Sequence, residues 1–157
     1  MSINEQSATV RPATTAPLRG LSTVNVYADD VAAAQRWYTE FLGVEPYFFN
    51  PPQPAPPVYV EFRLGDFQHE LGIVDRRFAP GPAPDAGAPA AQPITYWHVD
   101  DVEAVLARLL ELGASPHQPI VERGPGFVTA SVVDPFGNVL GIMFNRHFLD
   151  MVGGGAA

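Results

Sequence analysis

Alternating hydrophobic and polar positions predict two similar strand–helix pairs in the chain. Residues 21–28 (LSTVNVYA) alternate and are rich in β-branched side chains, which predicts a strand. After Asp29 and Asp30, the segment VAAAQRWYTEFLG places apolar residues three to four positions apart, which predicts a helix. Either aspartate can cap this helix, and Gly43 ends it.

The same order of elements returns in the second half. Residues 94–99 (ITYWHV) predict a strand, Asp100 and Asp101 follow, and VEAVLARLLELG predicts a helix that ends at Gly113. Further strands are predicted at 44–49, 58–64 and 69–75, and again at 118–122, 127–133 and 138–145. The chain therefore contains an internal repeat with the order β-α-β-β-β.

Two proline-rich segments interrupt these patterns. Residues 50–57 (NPPQPAPP) predict a loop, and residues 79–93 predict a linker, because proline removes backbone donors and fixes φ. The predicted organisation is a flexible N-terminal tail (1–19), a first module (20–78), the linker (79–93), a second module (94–146) and a C-terminal tail (147–157).

Composition narrows the classes of function. The chain has 157 residues, 46% of them hydrophobic and 17% charged, which is typical of a globular protein. Seventeen acidic residues against nine basic ones give a net charge of −8, which disfavours nucleic acid and anionic membranes as partners. The sequence has no cysteine, which excludes disulfides, thiolate nucleophiles and cysteine-based metal centres. Neither a membrane span nor a signal peptide is recognised, so we expect a cytoplasmic protein.

The repeated motifs resemble the vicinal oxygen chelate superfamily, which includes glyoxalase I, the bleomycin resistance proteins, fosfomycin resistance enzymes and extradiol dioxygenases. ADDVAAA…FLG matches VDDVEAV…ELG, HELGIVDRR matches NVLGIMFNR, and the turn DPFGN follows at 134–138. The resemblance covers about residues 20–145. It implies an α+β fold in which two βαβββ modules form a cupped mixed sheet around a ligand cavity, and it implies a homodimer.

Metal-dependent members of that superfamily carry a histidine on the first strand of a module and a carboxylate on the last. The corresponding positions are Thr23 and Ile94 on the first strands, and Gly72 and Gly141 on the last. These four residues are poor or impossible metal ligands, so the resemblance implies the fold without the usual metal site, and no cofactor is expected. The two glycines either open the cavity floor or allow the half-sheets to pack closely.

Strand alternation predicts which side chains face the cavity. The predicted ligand-binding residues are Asn25, Tyr27, Phe49, Gly72, Tyr96, His98, Gly141 and Met143. This set suits a small-molecule site, and a filled core shows the same composition. His98, Tyr96 and Glu70 are the candidates for acid–base catalysis. His98 and Glu70 are also candidates for an unusual metal site, although two ligands without a third hold a metal weakly.

The leading hypothesis is a metal-independent binding protein that sequesters a largely apolar or aromatic organic compound. This hypothesis follows the resemblance to the bleomycin resistance proteins and therefore includes antibiotic resistance. The alternative is a metal-free lyase or isomerase that acts on a natural product or xenobiotic through histidine, tyrosine and glutamate chemistry. The four poor ligand positions disfavour a third hypothesis, a metal-dependent glyoxalase- or dioxygenase-type enzyme. Whether the modules pair within one chain or between two stays open.

Overall fold

A computed structural model describes residues 21–79 and 94–153, and within these ranges it contains two modules with the same order of elements. The first module consists of β1 (Thr23–Ala28), α1 (Val31–Leu42), β2 (Phe48–Asn50), β3 (Tyr59–Leu64), β4 (His69–Asp75) and a 3-10 turn (Arg76–Phe78). The second module consists of β5 (Tyr96–His98), α2 (Val102–Glu111), β6 (Ser115–Gly124), β7 (Phe127–Val133), β8 (Val139–Asn145) and α3 (Arg146–Gly153). The predicted α+β fold of two βαβββ modules is confirmed. The predicted N-terminal tail, and the predicted linker beyond Ala79, lie outside the described residues.

Each module forms its own four-stranded mixed sheet. The strand orders are β1-β4-β3-β2 and β5-β8-β7-β6, which are equivalent under the repeat. In both sheets the first strand runs parallel to the last, and the other neighbours are antiparallel. Side chains of the first strand therefore lie beside those of the last strand, on the same face.

The paired aspartates start both helices as the sequence predicts. The Asp30 carboxylate accepts a hydrogen bond from the backbone N–H of Ala33 at 2.9 Å, and Asp101 does the same for Ala104 at 2.9 Å. Gly43 ends α1 in the left-handed region, with φ of 69°. Each strand–DD–helix motif is thus a strand followed by a capped helix.

One face of each sheet packs against a helix and forms a hydrophobic core. In the first module the core consists of Val26, Ala28, Val31, Ala34, Tyr38, Val60, Phe62, Leu71 and Ile73. In the second module it consists of Val102, Leu109, Ala114, Ala130, Val132, Leu140 and Ile142. Trp37 and Trp97 pack against both cores, so the helix sides of the two modules adjoin. We call the opposite face of each sheet the open face of that module.

Polar contacts also join the two modules within the chain. The Trp37 indole donates to the carbonyl of Leu112 at 2.8 Å. The Asn138 side-chain amide pairs with the backbone of Tyr27, accepting from its N–H and donating to its carbonyl, both at 2.9 Å. Arg76 donates to the carbonyl of Phe136 at 2.6 Å. These contacts orient the modules relative to one another.

Three elements differ from the prediction by more than two residues. Strand β2 begins at Phe48 rather than at residue 44, after Pro46, which cannot donate a backbone hydrogen bond. Strand β6 spans 115–124 rather than 118–122, because an edge strand with bulges accommodates its two prolines. Residues 146–153 form helix α3, whereas the sequence predicted a C-terminal tail from residue 147. Among the described residues, the helices are too short or too polar to cross a membrane.

Candidate functional site

The open face of the first module carries a polar surface rather than an apolar one. In the register of the sheet, Thr23 lies beside Glu70, Asn25 beside Gly72, and Tyr27 beside Val74. Strand β3 adds three side chains to this face, because its register places them opposite the same positions of β4. They are Tyr59, Glu61 and Arg63.

Four of these side chains form a hydrogen-bonded cluster with Tyr47, the residue that precedes β2. The hydroxyls of Tyr47 and Tyr59 both donate to the Glu61 carboxylate. The Tyr47 hydroxyl also lies 3.3 Å from the Glu70 carboxylate, and Thr23 donates to Glu70 at 2.9 Å. We call Tyr47, Tyr59, Glu61, Glu70 and Thr23 the tyrosine–glutamate cluster.

Burial and charge alter proton binding in this cluster. Burial raises the pKa of the Glu61 carboxyl, the charge of Glu70 raises it further, and the Arg63 guanidinium lowers it. Burial also raises the pKa of the Tyr59 hydroxyl, and the charge of Glu70 adds to the effect. The Arg63 guanidinium lies 4.0 Å from the centre of the Tyr47 ring, a cation–π contact. Chemically, the cluster offers a carboxyl that gains a proton more readily than an isolated glutamate.

The two repeated glycines sit where neighbouring side chains cross the sheet surface. A Cβ on Gly72 would lie 2.4 Å from the side-chain oxygen Oδ1 of Asn25 and 2.8 Å from the Tyr59 hydroxyl. A Cβ on Gly141 would lie 2.7 Å from the backbone oxygen of Thr95 and 2.7 Å from the Tyr96 ring. Side chains of the same module therefore fill the space at both glycines. Close packing within each sheet is therefore a third explanation for the glycines at these positions. The sequence offered two others, an open cavity floor and close packing between the half-sheets.

The open face of the second module is polar and aromatic as well. Tyr96 lies beside Gly141 and donates through its hydroxyl to Gln118 at 3.2 Å. The ring nitrogen Nδ1 of His117 lies 2.8 Å from the Ser131 hydroxyl, which is fully buried. These hydrogen bonds hold the polar groups of this face in place.

His98 is held firmly at the end of β5. Its Nδ1 accepts a hydrogen bond from the backbone N–H of Asn145 at 3.1 Å, so the tautomer carries its hydrogen on Nε2. That Nε2 faces the Asp100 carboxylate at 3.3 Å. The side chain is only 8% exposed, and its ring stacks on Phe148. The imidazole therefore has a fixed plane and fixed partners.

A cavity of about 580 Å³ lies on the helix side, between the two modules. Both cores and helix α3 contribute to its wall. Aromatic and aliphatic side chains make up most of the lining, among them Phe41, Leu64, Leu71, Trp97, Ile142 and Phe148. Polar residues join the lining at five positions: Arg63, Asp66, His69, His98 and Asp100. Such a size and composition are typical of sites for small organic molecules, which span roughly 300–1,000 Å³.

The structure distributes the predicted ligand-binding residues over three places. The open face of the first module holds Asn25, Tyr27 and Gly72, and that of the second holds Tyr96, Gly141 and Met143. Phe49 packs against the core of the first module. His98 lies beside Met143 in the register, and at this end of β5 it also lines the cavity between the modules.

The acid–base candidates are not brought together. Glu70 contacts Thr23 and Tyr47, whereas the polar partners of His98 are Asp100 and Asn145. Among residues 21–79 and 94–153, no three His, Asp or Glu side chains are grouped so that they could hold a metal ion.

The residues at the superfamily's metal positions do not fit a divalent cation. Thr23 lies beside Glu70 rather than beside Gly72, and Gly141 lies beside Tyr96 rather than beside Ile94. The carboxylate that lies next to the first-strand position Thr23 is therefore that of Glu70, and the Thr23 hydroxyl donates a hydrogen bond to it. One carboxylate and one hydroxyl do not make a metal site.

Sequence reasoning missed Tyr59 and Glu61 and the contribution of helix α3. The alternation in YVEFRL would have placed Tyr59, Glu61 and Arg63 on one face of the sheet. The spacing of Phe148, Leu149 and Val152 after the last strand is that of one side of a helix, and all three line the cavity.

Comparisons with known proteins agree with this architecture. The family model of the Glyoxalase/Bleomycin resistance protein/Dioxygenase superfamily matches residues 20–142. Similar solved structures include TioX from Micromonospora sp. ML1, with 18% identity and a TM-score of 0.58, covering 79% of this chain and 97% of that one. Lactoylglutathione lyase from Agrobacterium tumefaciens has 21% identity and a TM-score of 0.57, covering 82% and 95%.

A glyoxalase / bleomycin resistance protein from Catenulispora Acidiphila DSM 44928 has 24% identity and a TM-score of 0.50, covering 79% of this chain and 97% of that one. A search of the curated proteins gave no match. At these identities the solved structures establish the fold alone.

Proposed function

The chain belongs to the Glyoxalase/Bleomycin resistance protein/Dioxygenase superfamily, and we propose that it binds a small, largely apolar or aromatic organic compound without a metal ion. The observation that carries this proposal is the cavity of about 580 Å³ between the modules. Its wall combines hydrophobic side chains, which favour an apolar ligand, with a few polar groups that orient one.

The charges near the cavity refine the class of ligand. Two aspartates, Asp66 and Asp100, contribute to its wall, whereas the guanidinium of Arg63, another lining residue, lies over the Tyr47 ring. The whole chain carries a net charge of −8, which repels anions at long range. A neutral or cationic compound is therefore favoured.

Filling the cavity tests the proposal. Leu64 lines it and is only partly buried, so Leu64→Trp places a large ring in the ligand's space while keeping the residue hydrophobic. Ile120→Trp is the matched control, because Ile120 is an exposed strand residue outside the cavity lining. Both variants are first checked for an unchanged fold by circular dichroism.

The readout is native mass spectrometry after incubation with a library of small aromatic and alicyclic compounds. We expect the original protein and Ile120→Trp to retain the same compounds, recovered chemically unchanged, and Leu64→Trp to lose them. Equal retention by Leu64→Trp, or no retention by the original protein, contradicts binding in this cavity.

A second candidate function is a metal-free lyase or isomerase, and the tyrosine–glutamate cluster favours it. Glu61 there has a raised pKa and lies between two tyrosine hydroxyls, an arrangement that suits proton transfer. A recovered compound of altered mass, with turnover lost in Glu61→Gln and binding retained, would select this function. His98→Ala is the companion variant, because His98 lies in the cavity wall rather than in the cluster.

A further inference from the structure

Phe148 occupies a stacking position on His98 inside the cavity. The two ring centres lie 4.5 Å apart and the ring planes differ by only 14°. Phe67 meets the Phe148 ring edge-on, with centres 5.9 Å apart and an angle of 89°. A planar ring in this position is therefore contacted on one face by an imidazole and along an edge by a phenyl ring, a favourable aromatic geometry.

The two partners of this stack differ in how firmly they are held. Both ring nitrogens of His98 have polar partners, Asn145 and Asp100, so its plane is fixed. Phe148 belongs to helix α3, in which no residue is buried. Its neighbours Leu149 and Val152 line the cavity and are still 39% and 40% exposed. Moving α3 outward therefore disturbs a partly solvated helix and breaks the apolar contacts of Phe148, whereas moving His98 also breaks polar contacts with Asn145 and Asp100.

We propose that the bound compound carries a planar aromatic ring, and that this ring replaces Phe148 on the His98 imidazole while α3 moves outward. This inference rests on the proposed binding function and names the class of ligand for the same cavity. Phe148 then competes with the compound, because the compound can stack on His98 only when the Phe148 ring has left it. A saturated ring lacks the flat face that the fixed imidazole requires, so it binds elsewhere in the cavity without displacing Phe148.

The test compares coumarin with octahydrocoumarin, which share one two-ring lactone skeleton but differ in planarity. Dissociation constants are measured by calorimetry for the original chain and for Phe148→Ala. We expect Phe148→Ala to bind coumarin about 2- to 10-fold more tightly, because the competing aromatic pair is gone. The affinity for octahydrocoumarin stays unchanged.

Three further variants test whether the compound stacks on the His98 ring. His98→Leu should lose the preference for coumarin, and His98→Phe should restore it, because a flat ring is present again. Met151→Ala is the control on α3, since Met151 is 57% exposed and outside the cavity lining. It should leave both affinities unchanged. Circular dichroism confirms that each variant keeps its fold.

Each other outcome overturns the inference in a distinguishable way. Equal effects of Phe148→Ala on both probes, or weaker coumarin binding, show that Phe148 does not compete for the stacking position. If the original chain binds both probes equally and Leu64→Trp loses both, the proposed function stands, but the inference that the ligand carries a planar aromatic ring is wrong. If no probe or library compound binds the original chain, the proposed function and the inference fail together.

Discussion

Tyr38 donates a hydrogen bond of 2.6 Å to Asp134, which lies 96 positions later in the sequence. Both residues are buried, with 1% and 3% of their surfaces exposed. Asp134 also accepts hydrogen bonds from the backbone N–H groups of Phe136 and Asn138, at 2.9 and 2.8 Å. This contact therefore ties helix α1 of the first module to the turn between β7 and β8 of the second.

Replacing Tyr38 by phenylalanine should destabilise the chain by about 1–3 kcal/mol, because a buried carboxylate loses one of its donors while the ring packing is kept. Urea denaturation gives the change in the free energy of unfolding. Tyr47→Phe is the comparison, since Tyr47 is 44% exposed and water replaces its hydroxyl. A larger loss in Tyr47→Phe than in Tyr38→Phe contradicts the prediction.

The same tyrosine should make stability depend on alkaline pH. Burial, followed by the charge and the hydrogen bond of Asp134, raises the pKa of Tyr38 well above its usual value of 10.0. The unfolded chain then loses this proton near pH 10 while the folded chain keeps it. The stabilisation is complete below that pH and is lost as the pH rises, by about 1.4 kcal/mol per pH unit. The free energy of unfolding of Tyr38→Phe, measured above pH 10, should fall less steeply than that of the original chain.

Much of the fold was predictable because it follows from local patterns. Paired aspartates before a helical spacing mark both helix starts, and the repeat of these motifs gives the order of elements. The boundaries of β6 were not predictable, since its prolines are tolerated only because the strand lies at an edge of its sheet. Edge position is a property of the whole sheet and is absent from the local sequence.

The candidate site was predictable only in part. Alternation correctly grouped Tyr96 with Gly141 and Asn25 with Gly72, because neighbouring strands share a face. The cavity, in contrast, is lined by helix-side residues from both modules, such as Leu71 and Trp97. Its existence depends on how the two modules adjoin, which strand periodicity does not encode.

Gly141→Ala should destabilise the chain more than Gly72→Ala. The new Cβ at Gly141 would lie 2.7 Å from the backbone oxygen of Thr95, which accepts a hydrogen bond from the Gly141 N–H and so cannot move away cheaply. At Gly72 the nearest atoms belong to the ends of side chains, Asn25 and Tyr59, which can rotate. We expect a loss of about 1–3 kcal/mol for Gly141→Ala and a smaller one for Gly72→Ala, measured by urea denaturation.

A double-mutant cycle separates the two causes. Asn25→Ala should relieve the clash at Gly72, so Gly72→Ala/Asn25→Ala is more stable than the sum of the single effects requires. An additive cycle, or an equal loss at both glycines, would show that the Cβ contacts do not set the cost.

Chelation should leave ligand binding unchanged. Thr23, Ile94, Gly72 and Gly141 do not supply a ligand set, and the described residues contain no group of three suitable side chains. The affinity for coumarin, measured by calorimetry before and after treatment with EDTA, should therefore be the same. Stoichiometric zinc, iron, nickel or manganese that is lost in a His98→Ala/Glu70→Ala double variant would instead establish a metal site.

The proton affinity of Glu61 should respond in opposite directions to its two charged neighbours. Removing the Glu70 charge in Glu70→Gln should lower the pKa of the Glu61 carboxyl, and removing the Arg63 charge in Arg63→Met should raise it. Burial is the largest cause, so the pKa in Glu70→Gln should stay above the usual value of 4.5. Carboxyl-selective NMR titration measures each value, and shifts of the same sign in both variants would reject this account.

The raised pKa also fixes the sign of a stability effect. A carboxyl that binds its proton more tightly in the folded chain stabilises the fold below pH 4.5, and this contribution is lost as the pH rises through the folded pKa. Glu61→Gln, which stays neutral, should therefore gain stability relative to the original chain at pH 7 but not at pH 4. A gain of equal size at both pH values would mean that the change in hydrogen bonding, rather than the charge of Glu61, determines the result.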